Sequence, residues 1–379
     1  MPPEAAPAAA LTDRRRPTLR TTLELLPTLA FACVLAYHHF VVGPTDALYG
    51  DWVPSRMDWL FGYSLLLLAQ FGVSPLVANP RLTRERWQRF RTSKLAVAAL
   101  AWTVLFVTVA LVAPLLMDVP EPNIFHINQP PVFASIDNTL LSNCVGTVAN
   151  GQCHGTWQYP LGTQQSGKGV LGYVVYGARE SFEIGLTTAT LVVLIGTTVG
   201  VTAAYAGGWT DELLMRYVDV QQAIPAVFVY LAVLAVYSLN PIYLVVVFGL
   251  LSWGGIARIV RSEALKVREE EYIQATENAG AGPVYAIRKH VLPNVSSTVV
   301  TTASLQLPFF IVVEATMGYL GYSDVDVVSW GVLINEGLNA GTLETMWWVA
   351  TVPAAAIALT VVSINVVGDQ LRDALDPRD

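Results

Sequence analysis

The stretch Glu271-Tyr-Ile-Gln274-Ala275-Thr276-Glu-Asn-Ala-Gly280-Ala-Gly-Pro283-Val-Tyr-Ala-Ile-Arg-Lys-His290-Val-Leu292-Pro293-Asn294 sets how the chain is read. From Arg261 to Ala279 there is no Pro or Gly, and apolar residues stand at Leu265, Tyr272, Ile273 and Ala279. That spacing predicts an amphipathic helix. Gly280 ends it, as glycine does where a helix finishes in a left-handed residue. Pro283 suits the first turn of a second short helix, Val284 to Val291, and Pro293 is expected to force another break. The result is a helix, a sharp turn and a short helix. Such a unit can dock in a groove of a partner protein or lie on a membrane surface, and the local pattern leaves both readings open.

The flanks of this unit are apolar enough to cross a bilayer, which takes about 20 consecutive apolar residues with every backbone group satisfied internally. The candidate spans are 25–42, 59–78, 95–117, 184–206, 223–239, 242–257, 297–317 and 347–367. Asn240-Pro241 separates the fifth from the sixth as a tight turn. Eight spans are expected. The first follows Arg14-Arg15-Arg16 but, at 18 residues, exceeds a cleavable apolar core of about 7–15 residues, so it is expected to be retained.

Cations orient the bundle, because loops carrying them are poorly translocated. With the N-terminus inside, Arg14, Arg15, Arg16, Arg20, Arg81, Arg84, Arg86, Arg89, Arg91, Lys94, Arg216, Arg258, Arg261, Lys266, Arg268, Arg288, Lys289, Arg372 and Arg378 face the cytoplasm. These are 19 of the 22 cations. Only Arg56, Lys168 and Arg179 are left outside. Both termini are then cytoplasmic, the polar region 118–183 is external and the loop 258–296 is cytoplasmic.

Composition agrees with a membrane protein. Of 379 residues, 53% are hydrophobic and 13% charged, against roughly 25% charged in an average soluble domain. A mean hydropathy of +0.48 excludes a disordered chain. The net charge of −7, with 18 Arg and 4 Lys, gives a nucleic-acid partner no support.

The remaining motifs are weighed against plain structural readings. Gly162-Thr-Gln-Gln-Ser-Gly167-Lys168-Gly169 nearly matches a nucleotide-binding G-x-x-x-x-G-K-[ST]. It has Gly where the Mg²⁺-binding hydroxyl belongs, no apolar strand before it and an external placement. Adjacent His38 and His39 point to different faces, and His126, His154 and His290 lie in loops, so no metal or haem site is expected. Cys144, Cys153 and His154 make an incomplete zinc set. Cys144 and Cys153 are the two cysteines placed to cross-link, in an external loop where oxidation is permitted. Gly196, Gly200 and Ala204 put small residues on one face of the fourth span, the pattern of close helix packing. Glu314, ionisable within the seventh span, is a candidate for the translocation pathway or a hydrogen-bonded interface residue. Trp347 and Trp348 are expected as interfacial anchors.

The segment Glu271–Asn294 resembles the EAA loop of permease subunits in binding-protein-dependent ABC importers. The family pattern has Glu-Ala-Ala, a Gly four residues on, then a hydrophobic-Leu-Pro. Here Gln274-Ala275-Thr276 takes the triplet, Gly280 the glycine, and Leu292-Pro293 the close. Tyr159-Pro-Leu-Gly162-Thr163, Tyr176-Gly-Ala-Arg179-Glu-Ser181, Ala204-Tyr-Ala-Gly207-Gly208-Trp-Thr-Asp211, Met215-Arg216-Tyr-Val-Asp219, Ala223-Ile-Pro225, Ser329-Trp330-Gly331 and the tail Asn365–Arg378 are similar to oligopeptide and dipeptide importer permeases. The resemblance runs from about Arg89 to the end. Two features depart from it. Gln164–Gly169 stands where the family has an Asp-Glu-Leu-Gly-Arg-Asp-like stretch, and the first two spans fall outside the usual six.

The resemblance implies an all-α, polytopic membrane helical bundle of the type I ABC importer permease fold, with two extra N-terminal spans. Residues 1–88 would hold a cytoplasmic tail and those spans. Residues 89–183 would hold an amphipathic lead-in, a span and the external loop, and 184–379 the core permease domain with its coupling loop 258–296. It implies two partner ATPase subunits docking beneath 263–283, a second homologous permease subunit and an external substrate-binding protein. The chain would be a subunit in the cell membrane, surrounded by lipid, with no catalytic residue and no cofactor of its own, ATP and Mg²⁺ belonging to the ATPases. The cargo would be di- or oligopeptides. Nickel chelates or oligosaccharides are alternatives within the class, and a membrane channel is the reading from outside it.

Overall fold

The computed structural model describes residues 17–50, 52–323, 327–339 and 345–375. Arg14, Arg15, Arg16 and Arg378, which the orientation argument uses, lie outside the described residues. The chain divides into two compact units, Met1–Thr83 and Arg84–Asp379. The division falls within a helix, Pro80–Phe90.

In the first unit, α1 (Pro17–Tyr37) continues through a π turn at His38–Val42. A Ser55/Asp58 capping box starts α2 (Arg56–Leu67), which runs through a second π turn, Leu68–Val73, into α3 (Ser74–Ala78). Phe31 of α1 packs on Trp59 and Tyr63 of α2, with ring centroids 5.6 and 5.8 Å apart.

The second unit begins within α4 (Pro80–Phe90) and continues with α5 (Lys94–Leu116) and α6 (Val170–Ala206). At 37 residues, α6 is about 55 Å long, well beyond the ~30 Å apolar thickness of a bilayer. It is the mast of the unit. After it come α7 (Gly208–Ala223), α8 (Ala226–Leu234), α9 (Pro241–Leu251) and α10 (Gly254–Arg268). Then follow α11 (Glu271–Asn278), α12 (Pro283–Ala286), α13 (Leu292–Tyr319), α14 (Trp330–Asn339) and α15 (Trp348–Leu375).

The small-residue face of α6 lies against α10. A Cβ at Gly196 would sit 2.8 Å from Ile256, and one at Gly200 2.5 Å from the Ala257 carbonyl, so both positions require glycine for the two backbones to approach. Trp102 of α5 donates to Thr360 of α15 at 3.1 Å, tying the last helix to α5.

The span count differs from eight. Six described helices are long and apolar enough to cross a membrane. The first expected span forms a 17-residue apolar helix, Leu26–Val42, and the fifth is half of a pair, Gly208–Ala223 and Ala226–Leu234, bent by 63°. Pro225 causes the bend, because it pushes the preceding Ile224 into an extended conformation (φ −96°, ψ 111°). Asn240 does form the expected turn. Its side chain accepts from the Ile242 N–H at 3.0 Å and Pro241 opens α9.

Residues 118–169 are folded. Three strands, β1 (Ser135–Asp137), β2 (Val148–Ala149) and β3 (Gln152–His154), form an antiparallel sheet in the order β1-β3-β2. Cys153 pairs with Ile136 on one side and Val148 on the other, and its sulfur is bonded to that of Cys144. Ile136, Cys153, Tyr173, Leu333, Trp348 and Val349 share one core, which binds this layer to α6, α14 and α15. Trp348 is therefore not an interfacial anchor. It is 1% exposed, and its indole donates to the Thr163 carbonyl at 3.1 Å.

Candidate functional site

The loop 258–296 is a folded unit that departs from the expected outline in two places. The helix predicted over 261–280 is broken at Glu269-Glu270, between α10 and α11. Acidic side chains oppose the negative end of α10 but favour the positive start of α11, where Glu271 sits in the first turn. Pro293 does not break the chain. A π turn at Ile287–Val291 precedes it, and the widened turn gives the ring room, so helix runs from Pro283 to Tyr319.

Gly280 has φ +83°, a left-handed residue at the end of α11. The Ala281 N–H reaches back to the Thr276 carbonyl (3.2 Å) and the Ala279 N–H to Ala275 (3.0 Å), so the reversal consumes the helix's last carbonyls. Ile273, Ala286 and Val291 are buried beneath the turn. Asn294 donates to the Tyr272 hydroxyl at 3.2 Å and to the His290 carbonyl at 2.7 Å, and His290 stacks edge-on between Tyr272 and Tyr285. Periodicity finds Ile273 but not the Tyr272, His290 and Asn294 clip, whose partners lie up to 22 residues apart.

The expected contact residues lie on this frame. Gln274 and Ala275 are exposed, while Thr276 is half-buried and donates to its own helix at Tyr272 (2.7 Å). Leu292 and Pro293 are exposed in the first turn of α13. Val284, Tyr285 and Tyr272 leave a further apolar surface uncovered. The exposed patch adjoins two long apolar helices, Pro241–Arg268 and Pro283–Tyr319.

Glu314 lies elsewhere, at the junction of α6, α13 and α14. It is 3% exposed. Ser181 donates to one carboxylate oxygen at 2.8 Å and Ser329 to the other at 2.5 Å. Gly331 packs so closely on Ala315 that a Cβ would lie 1.9 Å from its carbonyl oxygen. Trp330 donates to the Val174 carbonyl at 2.8 Å. Ser329-Trp330-Gly331 thereby fixes the start of α14. A crevice with about 10 Å³ of room, lined by Ile184, Tyr230, Asn240, Leu244, Glu314 and Met317, opens beside the carboxylate, space for one water.

The Gly162–Gly169 stretch makes no phosphate cradle. The Val170 N–H is taken by the Gly162 carbonyl (2.9 Å), the Gln164 N–H by Lys168 (3.1 Å), and the Lys168 ammonium lies 5.8 Å from the Tyr173 ring centre. Near it, burial raises the carboxyl pKa of Glu336, with the Lys168 charge pulling the other way. The Asp137 carboxyl is held low by hydrogen bonds from the Thr139 hydroxyl and N–H.

A family model described as the inner membrane component of binding-protein-dependent transport systems matches residues 196–378, the part of the chain that holds the loop and Glu314. The oligopeptide transport system permease protein OppC of Bacillus subtilis is 32% identical over 300 residues, covering 78% of this chain and 90% of that protein. The chain belongs to this permease family. A second model, the N-terminal TM domain of oligopeptide transport permease C, matches 81–131. The dipeptide transport system permease DppC of the same species is 32% identical over 307 residues, covering 80% and 88% of the two chains. The glutathione transport system permease GsiD of Pectobacterium atrosepticum is 30% identical over 296, covering 78% and 91%. A solved structure of the MetNI methionine ABC transporter in inward-facing form is similar over 54% of this chain and 97% of its own, at 20% identity and a TM-score of 0.44. The assignment rests on the sequence relatives. A permease of this family is a transport subunit in a membrane, and a polytopic helical bundle is its form here.

Proposed function

We propose that this permease carries di- or oligopeptides from an external binding protein into the cytoplasm, as one of two related permease subunits working with two ATPase subunits. The ATPases hold the ATP and Mg²⁺ and dock beneath 263–283, on Gln274, Ala275, Thr276 and the turn at Gly280, with Leu292 and Pro293 bracing the unit from behind. The loop 258–296 and both termini face the cytoplasm, and 118–169 faces outward. Residues 1–88 are an added unit ahead of the permease core. Glu314 borders the path of the cargo.

The observation that supports this reading is the folded connection of the exposed turn to two long apolar helices. The turn is pinned by its own hydrogen bonds, joined to α10 by two residues and continuous with α13 through Pro293. Shifting a two-state transporter from 1:99 to 99:1 takes about 5.5 kcal/mol. A floppy loop cannot transmit that. The cargoes in the relatives' names, oligopeptide, dipeptide and glutathione, support a peptide over a nickel chelate or an oligosaccharide.

The test is uptake by the reconstituted complex with its binding protein, using labelled di- and oligopeptides and competing with nickel chelates and oligosaccharides. Peptide uptake that depends on ATP, and resists both competitors, is expected. Transport of either competitor without peptide transport would replace the cargo assignment.

A further inference from the structure

We infer that Asp211 and Arg261 are positioning residues that clasp α7 to α10, so that a push on the 263–283 unit carries the bent pair α7–α8 with it. The inference rests on the coupling reading above and extends it to a second element.

Three arginines of α10, at positions 258, 261 and 268, fall on one face at helical spacing. Each reaches a different point, from the end of α6 to the far end of α7. Arg268 donates to the Ala204 carbonyl at 3.0 Å, capping the end of α6, and lies 5.9 Å from the Tyr205 ring centre. Arg261 engages both oxygens of Asp211, Nε to Oδ1 and Nη2 to Oδ2, each at 2.5 Å. Arg258 donates to Gln222 at 2.5 Å and pairs with Asp219. Other contacts run alongside, with Tyr217 stacked on Trp253 at 5.9 Å and Gln221 donating to the Leu250 carbonyl at 2.8 Å.

The α6–α7 corner itself is built on two glycines. Gly207 and Gly208 are consecutive left-handed residues, at φ +62° and +53°, so α7 is attached to α6 through two positions that no bulky residue would occupy without strain. Covalently, α7 joins α6 through these two glycines alone. The clasp to α10 adds a fixed direction. A two-pronged guanidinium–carboxylate contact sets orientation as well as distance, whereas apolar side chains alone can slide.

The clasp lies on a continuous route. The loop unit α11 joins α10 through Glu269-Glu270, α10 holds α7, and α7 passes into α8 at the 63° bend. Tyr230 of α8 lines the crevice beside Glu314 and donates to the Tyr322 carbonyl at 3.1 Å. Displacing α11 thus moves a wall of that crevice through α7 as well as through α13.

The test uses the complete reconstituted transporter and reads assembly, basal ATP hydrolysis and uptake per ATP. Asp211→Asn and Arg261→Gln should assemble and hydrolyse ATP at near-normal basal rates, while uptake per ATP falls about tenfold, the scale of losing a charged hydrogen-bond pair. The swap Asp211→Arg with Arg261→Asp should recover part of the coupling. Arg216→Gln, which breaks an ion pair internal to α7 with Glu212, should change nothing. If the neutral variants fail to assemble, Arg261→Lys keeps the charge and removes the fork, and about a threefold loss of coupling is expected. Normal uptake per ATP in assembled Arg261→Gln or Arg261→Lys overturns the clasp, as does a loss of assembly that the swap fails to restore while Arg261→Lys couples normally. Gly280→Val measured alongside separates the two ideas. Its failure to uncouple would remove the coupling reading, whereas uncoupling by Gly280→Val with normal coupling in the Arg261 variants removes only the clasp.

Discussion

Asn294, in the first turn of α13, donates its amide to the hydroxyl of Tyr272 in α11 at 3.2 Å, an exposed bond that ties the helices on either side of the Gly280 turn. The bond is near the surface and neutral, so its removal is worth about 0.5–1.5 kcal/mol locally. Tyr272→Phe should keep the ring against His290 and lose only the bond. Amide hydrogen exchange over α11 is expected to speed up about fivefold, with the rest of the bundle unchanged. An unaltered exchange rate would show that the apolar contacts of Ile273 suffice.

The turn makes a sharper prediction. A Cβ on Gly280 meets no atom within 4 Å, so the penalty of substitution comes from its backbone, of order 1 kcal/mol for an unbranched residue at positive φ. Gly280→Asn should be mild, because Asn tolerates that region. Gly280→Val should leave the protein folded in its membrane while lowering ATPase co-purification or coupled hydrolysis, and Ala275→Arg should do the same by crowding the exposed face. Thr276→Ala should be mild, since the hydroxyl bonds only to its own helix. Normal assembly and stimulation in both Gly280→Val and Ala275→Arg would make α11 a plain surface helix.

Much of this was legible beforehand. Gly280 reads as a left-handed stop because few residues take that backbone without strain, and the long apolar runs read as spans because their composition alone decides burial. Pro293 misled because a proline's effect depends on the turn before it, and a π turn leaves no mark in hydropathy. The 223–239 span misled for the converse reason. Its composition is apolar, but Pro225 divides it, and Ala226–Leu234 is too short to cross alone. The layer over 118–169 was invisible because its strands are two or three residues long and its core is completed by Leu333 and Trp348, nearly 200 residues away. The seating of Glu314 depends on Ser181 and Ser329, which no spacing rule links.

That layer gives a test of the cross-link. Mass spectrometry of unreduced protein should find Cys144 joined to Cys153. The two are nine residues apart in sequence, and closing so short a loop contributes about 2–3 kcal/mol on the chain-entropy account. Cys153 is fully buried in the shared core, so Cys144→Ser should lower the unfolding temperature of the layer while leaving the coupling loop untouched. Two free thiols in the oxidised protein would remove the idea without touching the transport reading.

Glu336, on α14 and facing the charge of Lys168 in that layer, gives their junction a pH dependence. Burial raises its carboxyl pKa, so the folded form holds its proton to higher pH than the unfolded chain does. The favourable contribution is complete below the ordinary glutamate value and is lost as pH rises through the raised one. The layer should therefore lose stability over that acidic interval, and Glu336→Gln should flatten the loss. A melting temperature of the variant that still falls in parallel with the parent across the same interval would assign the effect to another group.

Glu314 separates a wall of the pathway from a simple staple. Its two oxygens accept from hydroxyls on two different elements, Ser181 in α6 and Ser329 ahead of α14, so the side chain holds three segments together whatever else it does. Glu314→Leu strands both hydroxyls in a buried site, at about 1–3 kcal/mol for each unsatisfied group, and should destabilise the start of α14 enough to reduce the yield of assembled protein. Glu314→Gln is the informative change. The amide keeps the size and one acceptor, and a serine hydroxyl can rotate to accept from its NH₂ group, so folding and assembly should survive. If the carboxylate only staples helices, uptake should survive as well. If it borders the cargo path, the missing charge should cut peptide uptake about fivefold or more, the scale of one charged contact, with basal ATP hydrolysis intact. The pathway role predicts the second result, and normal uptake by Glu314→Gln beside a destabilised Glu314→Leu would leave Glu314 as the pin of α14 alone.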